Sequence, residues 1–310
     1  MTHIALQLKT NWQENSPLSQ FEEQLSPFAE QIGTLARDAL VAEVMLSPKP
    51  GLVDQWDTGS HSDLTVEMMV RSANCLAPYF AQMAAEGQRY QSQQSADDLL
   101  SLRERIGLIG RQAESQMMQV TEGVNTHRGA IWALGLLATS AGMLGEHATP
   151  NDFCVLAGRI ACLPDKFVKQ TWSKGLKATR QYQVNGAREQ AQNGFPAIIG
   201  IALPALISSR LHSSSESHAQ LDALVALMAN LTDTCVLARA GLQGLTLMQH
   251  GASDIIKVGG TSTELGFSKL IKLNKDMVAI NASPGGAADL LAATLFIDAI
   301  TNRKAILVGQ

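Results

Sequence analysis

Residues 26–46 read SPFAEQIGTLARDALVAEVML, and this stretch predicts an α-helix. Ser26 suits the N-cap and Pro27 suits the first helical position. Apolar residues then recur at the three- and four-residue spacing of one helix face, at Ile32, Leu35, Ala36, Ala39 and Leu40. The helix is expected to end near Leu46, because the following residues, 47–51, contain two prolines and a glycine that favour turns and extended chain.

The same pattern continues along the chain. Apolar residues at helical spacing predict further helices at 65–86, 97–121, 127–145, 151–162, 167–181, 196–211, 218–231, 235–250, 263–280 and 285–300. Strand-like alternation is confined to the short stretch Asp254–Val258. We therefore predict an all-α fold, with a polar N-terminal extension over residues 1–20 and a single multi-helix domain over residues 21–310.

Composition excludes several classes of protein. The 310 residues carry a formal net charge of -4 and contain no dense run of Lys and Arg, so we expect no nucleic-acid partner. The four cysteines are far apart and form no CxxC pair, which argues against a disulfide framework or a zinc ribbon and favours reduced thiols in a cytoplasmic protein. We expect neither a signal peptide nor a membrane span, because the charge-free apolar run at 129–145 is too short for a span.

The first segment with unusual chemistry is PKPGLVD at 48–54, followed by GSHSD at 59–63. Its prolines stiffen the backbone and would hold four polar side chains beside a helix end. These side chains are Lys49, Asp54, His61 and Asp63. They predict part of a functional site. The alternative is a structural turn with solvated charges.

The second segment, GVNTHRG at 123–129, opens a helix. A helix N-terminus offers free N–H groups and the positive end of the helix dipole. Asn125 or Thr126 can cap this helix, while His127 and Arg128 add donors and charge. The segment therefore predicts a phosphate-binding site, although an ordinary capped helix would look similar.

The third segment, NASPGGAAD at 281–289, places a serine cap and a proline before Gly285 and Gly286. Each glycine lowers helix propensity by ~1 kcal/mol, and close approach of an anionic ligand would explain that cost. Asp289, one turn further on, could bind a metal on the same phosphate. Gly286→Ala is then expected to stabilise the helix and weaken the binding of that ligand. The alternative is close packing between helices.

Other candidates lie elsewhere along the chain. Arg188 lies in the segment GARE at 186–189, and Arg239 lies on an apolar helix whose first turn carries Asp233. Asp233 predicts either a metal ligand or an N-cap. Glu114 borders an apolar helix face, which suggests a paired or functional carboxylate. Cys235 is expected to be a core thiol rather than a nucleophile, since no basic neighbour is evident.

Taken in order, PKPGLVD, GxHxD, GVNTHRG, GARE and SPGGxADL resemble the motifs of the triphosphoribosyl-dephospho-coenzyme A synthases, over roughly residues 35–300. The resemblance implies an enzyme that joins the 5-triphosphoribosyl group of ATP to 3'-dephospho-coenzyme A and releases adenine. Its product would pass to a prosthetic-group transferase acting on the acyl carrier protein of malonate decarboxylase or citrate lyase. The segments ACLPD at 161–165 and LPAL at 203–206 are more similar to the malonate branch.

This chemistry needs carboxylates, proton donors and a clamp for the triphosphate, because cleavage at ribose C1' has oxocarbenium character. We predict as catalytic residues Asp54, His61, Asp63 and Glu114. We predict as ATP- and phosphate-binding residues Lys49, Asn125, His127, Arg128, Arg188, Arg239, Gly285 and Gly286. We predict as ligands of Mg²⁺ Asp54, Asp233 and Asp289.

Two other functions remain open at this stage. A noncatalytic nucleotide- or coenzyme A-binding subunit would keep the phosphate sites but would not need so many carboxylates. A Mg²⁺-dependent hydrolase would cleave the N-glycosidic bond with water and form no coenzyme adduct. The sequence is compatible with a homodimer and does not determine the oligomeric state.

Overall fold

The computed structural model describes residues 25–93, 98–168, 174–212 and 215–308. This part of the chain contains α-helices and short 3₁₀ and π turns, and no strand. The α-helices are α1 (Pro27–Met45), α2 (Val66–Gln93), α3 (Asp98–Val120), α4 (Arg128–Leu144), α5 (Pro150–Cys162), α6 (Lys174–Tyr182), α7 (Ala187–Gln192), α8 (Leu203–Leu211), α9 (Glu216–Asn230), α10 (Thr234–Lys257), α11 (Glu264–Ala279) and α12 (Gly285–Val308). The all-α prediction is confirmed. The predicted extension over residues 1–20 lies outside the described residues.

Helix α2 lies between α1 and α4, and these three helices form the centre of the core. Side chains are buried along almost the whole of α4, which fits its charge-free sequence. Close approach between α2 and α4 depends on Gly87 and Gly142, since a Cβ on either would overlap the backbone of the partner helix. At the start of α1, Ser26 Oγ accepts the N–H of Ala29 at 3.1 Å, so the predicted cap is present.

Some boundaries differ from those that the sequence predicts. Asp254–Val258 is not a strand, because α10 continues to Lys257 and places Ile255 in the core. Helix α10 is kinked at Gly241, whose φ of 62° favours glycine. Helix α2 extends beyond residue 86 to Gln93 through polar residues that are good helix formers.

Two further differences concern residues 167–192. Helix α6 begins at Lys174, later than predicted, and residues 169–173 are outside the described part of the chain. The short α7 was not predicted, because six mostly polar residues carry no apolar periodicity.

Among the described residues no single helix has the length and apolarity to cross a membrane, whereas α9 and α10 together meet the criteria across a 63° bend.

Candidate active site

A cavity of about 1520 Å³ lies where several helix N-termini and inter-helix loops converge. The N-termini of α4, α10 and α12 reach it, together with the loop after α1 and the loop between α6 and α7. Every residue predicted for the site lines this cavity except Asp54. The prediction that the site is built from loops and helix N-termini therefore agrees with the geometry of the described residues.

Asp54 folds the loop that follows α1 instead of facing the cavity. Its carboxylate accepts the backbone N–H groups of Lys49 at 2.6 Å, Trp56 at 2.7 Å and Asp57 at 3.2 Å. The side chain is buried, as a carboxylate with three backbone donors can be. Asp54 therefore does not line the cavity, and its predicted roles as a catalytic residue and a Mg²⁺ ligand stay predictions.

Lys49 and Glu43 form a buried ion pair beside the cavity. Lys49 Nζ lies 2.5 Å from Glu43 Oε1 and also donates to the Glu43 carbonyl at 2.5 Å. Less than 5% of either residue is exposed. The ammonium group of Lys49 is thus already paired with Glu43, whereas the predicted phosphate-binding role would need it to contact a phosphate. The residues predicted for the site did not include Glu43, although it continues the apolar face of α1 and a carboxylate on such a face is unusual.

His127 is buried at the start of α4 with one ring nitrogen unpaired. Its Nδ1 lies 2.8 Å from Ser72 Oγ, whereas its Nε2 has no hydrogen-bond partner among the described residues. Burial, followed by the charge of Lys49, lowers the pKa of His127 to about 3. The ring is therefore neutral at physiological pH. It can offer a phosphate or a hydroxyl group a hydrogen bond but no charge.

The loop before α4 is held by its own polar side chains. The N-cap position of α4 is His127, whose side chain makes no capping hydrogen bond, so neither predicted cap occupies it. Asn125 Oδ1 accepts the N–H of Arg128 at 3.2 Å from two positions before that N-cap. Thr126 Oγ1 instead lies 2.6 Å from Ser72 Oγ and extends the hydrogen-bond chain that orients His127. The Nε atom of Arg128 lies 3.3 Å from Glu114 Oε2, and both side chains are partly exposed in the cavity.

Asp233 caps two helices at once. Its Oδ1 accepts the N–H groups of Cys235 at 2.8 Å and Val236 at 3.2 Å at the start of α10. Its Oδ2 accepts the N–H of Ala287 at 2.9 Å in the first turn of α12. Burial raises the pKa of Asp233, although hydrogen bonds from these N–H groups and from Gly286 oppose the shift. Asp233 is therefore an N-cap, which was one of its two predicted roles. It also lines the cavity, and its other predicted role, metal ligand, stays a prediction.

The glycines at the start of α12 make room for protein atoms. A Cβ on Gly286 would lie 3.0 Å from Asp233 Oδ2, and one on Gly285 would lie 3.2 Å from Cys235 Sγ. Burial and the charges of Asp233 and Asp289 raise the pKa of the Cys235 thiol well above its usual value, which fits a packed thiol. Asp233 already accepts from the amides of this helix end, and the phosphate-binding role of Gly285 and Gly286 stays a prediction.

Asp289 is buried like Asp233 but accepts fewer backbone hydrogen bonds. A Cβ on Gly129 would overlap its Oδ2, and the backbone N–H of Ala130 donates to it. Burial raises the pKa of Asp289 well above its usual value, and the nearby carboxylates of Glu43 and Asp233 raise it further. Within the described residues no three ligand-type side chains are arranged to hold a metal ion by themselves.

At the rim of the cavity two predicted residues connect loops. His61 Nε2 lies 2.9 Å from Ser283 Oγ, and its Nδ1 lies 3.6 Å from the exposed carboxylate of Asp63. Arg239 donates to the carbonyl oxygens of Ser60 and Asn281 and to the Asn281 side chain at 2.7 Å. Arg239 is thus a clamp between two loops, and its guanidinium is only partly available to a phosphate.

On another side of the cavity the sequence predicted only Arg188 and missed its neighbours. Arg103 and Trp132 line it, with the guanidinium carbon 5.2 Å from the ring centroid, and Arg103 Nη1 lies 3.4 Å from Asp165 Oδ2. Arg188 and Gln190, around α7, also line it. One signal was available: Arg103 lies eleven residues, or about three turns, before Glu114 on the same face of α3.

Unsatisfied polar groups concentrate at this cavity. In the described part of the chain, six buried side-chain polar atoms have no hydrogen-bond partner, and five of them belong to residues that line the cavity. These five are Arg103 Nε, His127 Nε2, Arg128 Nε, Trp132 Nε1 and Gln190 Oε1. Buried polar atoms are normally paired, so their concentration indicates a binding site for a polar ligand.

Comparison with known proteins agrees with this site. The model of the ATP:dephospho-CoA triphosphoribosyl transferase family matches residues 29–306. The chain belongs to this family. It is 51% identical over 267 residues to the 2-(5''-triphosphoribosyl)-3'-dephosphocoenzyme-A synthase of Klebsiella pneumoniae, covering 86% of this chain and 93% of the relative. No solved structure matches the chain.

Further members are similarly close. The probable 2-(5''-triphosphoribosyl)-3'-dephosphocoenzyme-A synthases of Pseudomonas syringae pv. tomato and Stutzerimonas stutzeri are 48% and 49% identical, over 89% and 91% of this chain and 94% and 96% of their own lengths. The resemblance drawn from the loop motifs is confirmed. The chain is a transferase of this family.

Proposed function

We propose that the chain transfers the 5-triphosphoribosyl group of ATP to 3'-dephospho-coenzyme A and releases adenine. The observation that carries this proposal is the concentration of unpaired buried polar atoms in one cavity of about 1520 Å³. Pockets for single small ligands usually measure ~300–1,000 Å³, so this volume suits two nucleotides side by side. Family membership supplies the identity of the two substrates.

The reaction breaks the bond between ribose C1' and adenine, and forms a bond from C1' to the ribose 2'-oxygen of dephospho-coenzyme A. The 2'-hydroxyl loses a proton, and the departing adenine gains one. We assign the hydroxyl proton to His61, since imidazole is the usual proton carrier near neutral pH. Ser283 and Asp63 flank its two ring nitrogens and would orient it. Asp63 and Glu114 remain candidates for stabilising the oxocarbenium-like centre.

Mg²⁺ fits the carboxylates of this site as a partner of the triphosphate. Asp289 lies close to two other carboxylates, and a cation would relieve the resulting rise in its pKa. Mg²⁺ is commonly held by one or two carboxylates together with substrate phosphates, which agrees with a site that lacks a complete protein cage in its described residues. We propose Asp289 as the principal ligand, with Asp233 next to it. The ion would supply charge neutralisation for the triphosphate.

The proposal is tested by mass spectrometry of the products. ATP and 3'-dephospho-coenzyme A with Mg²⁺ should give adenine and a triphosphoribosyl adduct of the coenzyme in equal amounts. Omitting either substrate, or adding excess chelator, should abolish both products. Adenine with free triphosphoribose would instead reveal a hydrolase, and binding without adenine release would reveal a noncatalytic subunit. Either result would contradict the proposal.

We further propose that the product serves the acyl carrier protein of malonate decarboxylase, after a prosthetic-group transferase has attached it. The support is the similarity of the segments at 161–165 and 203–206 to the malonate branch. Deleting the gene should abolish growth on malonate as the sole carbon source and leave growth on citrate intact. The reverse pattern would assign the protein to citrate lyase.

A further inference from the structure

One part of the cavity carries a group of donors of which the predicted site included only Arg188. We call Arg103, Trp132 and Arg188 the basic wall. They come from α3, α4 and α7, and all three line the cavity. Trp132 lies one helical turn after Arg128, so the wall is continuous with the start of α4.

Two members of the wall hold buried donors that no described residue accepts. Arg103 is 6% exposed, and its Nε has no hydrogen-bond partner. The indole Nε1 of Trp132 is also buried and unpaired. Both atoms are donors only, and buried donors are normally satisfied. They therefore require an acceptor from outside this part of the chain.

Positive charge exceeds negative charge around Arg103. Burial lowers the pKa of Arg103, and the charges of Arg111 and Arg188 lower it further, while Asp165 alone opposes them. The bond from Arg103 to Asp165 is long at 3.4 Å, because Arg111 binds the same carboxylate oxygen at 2.7 Å. Arg188 is exposed in the cavity. Asp165 thus pairs with Arg103 and Arg111, and Arg188 adds a third positive charge that acts on Arg103.

We propose that the basic wall binds the condensed phosphate chain of one of the two substrates, either the triphosphate of ATP or the diphosphate of 3'-dephospho-coenzyme A. This inference rests on the proposed function. Planar guanidinium groups pair with phosphate oxygens through two parallel hydrogen bonds, and the indole N–H adds a third direction. The start of α12 cannot serve this purpose unaided, because Asp233 accepts from its amides.

The test uses two mild substitutions in the full-length chain. Arg188→Gln removes an exposed charge, and Trp132→Phe removes the N–H while keeping an aromatic ring beside Arg103. Matched controls are Arg159→Gln, an exposed arginine outside the cavity lining, and Trp56→Phe, an exposed tryptophan outside it. Melting temperature of each variant verifies the fold. We measure kcat and the KM for each substrate, and the binding of inorganic tripolyphosphate and pyrophosphate by calorimetry.

We expect each wall variant to raise the KM for one substrate roughly ten- to a hundredfold, the scale of one lost hydrogen bond to a charged group, and to weaken polyphosphate binding. A rise for ATP assigns the triphosphate to the wall, and a rise for dephospho-coenzyme A assigns the diphosphate. Unchanged constants, an equal rise for both substrates, or the same effect in the controls would overturn the inference. The wild type could bind polyphosphate more tightly than the wall variants do and yet form no adduct. That result would contradict the proposed function and would still support phosphate binding by the basic wall.

Discussion

His127 shows how a buried ring stays neutral. Ser72 is bonded to one ring nitrogen, and the other has no partner in the described part of the chain. Because the pKa of this ring is about 3 in the folded protein, unfolding lets it take up a proton below pH ~6.5. The group therefore stabilises the fold above pH ~6.5, and this contribution is lost as the pH falls toward 3.

We predict that His127→Gln removes this dependence. Between pH 6.5 and 4 the wild-type free energy of unfolding should fall relative to that of the variant by up to ~1.4 kcal/mol per pH unit. Urea unfolding of both proteins at a series of pH values measures the difference. Parallel curves for the two proteins would show that the ring is not held neutral.

Asp289 is expected to respond to pH with the opposite sign. Its folded pKa is raised by burial and by the carboxylates of Glu43 and Asp233, so the native state keeps a proton that the unfolded chain has lost above pH ~3.9. This contribution is complete below pH ~3.9 and disappears as the pH rises through the raised value.

We predict that Asp289→Asn, without ATP and with a chelator present, is more stable than the wild type at pH 8 and that this advantage shrinks toward pH 4. The amide oxygen of the variant can still accept the N–H of Ala130. Guanidinium unfolding at pH 8, 6 and 4 checks the trend. A constant difference across these pH values would contradict the raised pKa.

At the scale of helices, carboxylates from neighbouring elements cap the N-termini that meet at the cavity. Asp233 caps α10 and α12, and Asp289 of α12 accepts the N–H of Ala130 in the first turn of α4. Each cap satisfies backbone donors at the positive end of a helix dipole. The same contacts fix the positions of three helices relative to the cavity.

We predict that Asp233→Ala costs about 2–4 kcal/mol of stability, because both caps are lost, and that Asp233→Asn costs about 1–2 kcal/mol, because one oxygen remains. Thr263→Ala is the control, since Thr263 caps α11 alone through Gly266 N–H at 3.0 Å, and it should cost about 1 kcal/mol. Chemical denaturation at pH 7 gives the three values. Equal costs for Asp233→Ala and the control would refute the double cap.

The two glycine environments predict opposite effects of alanine. Gly286→Ala should destabilise the protein, because the new Cβ would press on Asp233 Oδ2 at 3.0 Å. Gly110→Ala, inside α3, meets only Met83 Cε at 3.6 Å and should stabilise by up to ~1 kcal/mol through helix propensity. Differential scanning calorimetry distinguishes them. A higher melting temperature for Gly286→Ala would instead support the expectation from the sequence, in which alanine stabilises the helix and the glycine makes room for a ligand.

At the scale of the whole molecule, the cavity joins segments that are more than 200 residues apart. Ser60 Oγ donates to the Ala282 carbonyl at 2.6 Å, and Arg239 donates to the backbone of both loops. A ligand that contacts loops from both ends of the chain should stabilise the entire fold, because it binds only when these loops are assembled.

We predict that Mg²⁺ with ATP raises the melting temperature by several degrees. At a concentration of one hundred times Kd, ligand binding adds about 2.7 kcal/mol to the free energy of unfolding. ATP with excess chelator and Mg²⁺ alone are the controls, and both should have little effect. Thermal shift measurements on the wild type and on Asp289→Asn provide the comparison. An equal shift with and without chelator would argue against a metal-linked site.

Local sequence determined most of the helices and the chemistry of the loops. Helix period, caps such as Ser26 and terminators such as Pro48 act between residues a few positions apart, so one sequence suffices to place them. The sequence likewise identified thirteen residues that line the cavity, and the loop motifs identified the family to which the chain belongs. The sequence did not predict the short α7, because this helix has no apolar periodicity of its own.

Only the tertiary structure decided which groups face the cavity and which are already satisfied. Asp54 and Asp289 look alike in the sequence, yet three backbone donors bind Asp54 while two carboxylates crowd Asp289. Arg103 became a site residue because α3 brings it against Trp132 of α4. Burial, pKa and hydrogen-bond satisfaction depend on neighbours that are distant along the chain, and local spacing carries no record of those neighbours.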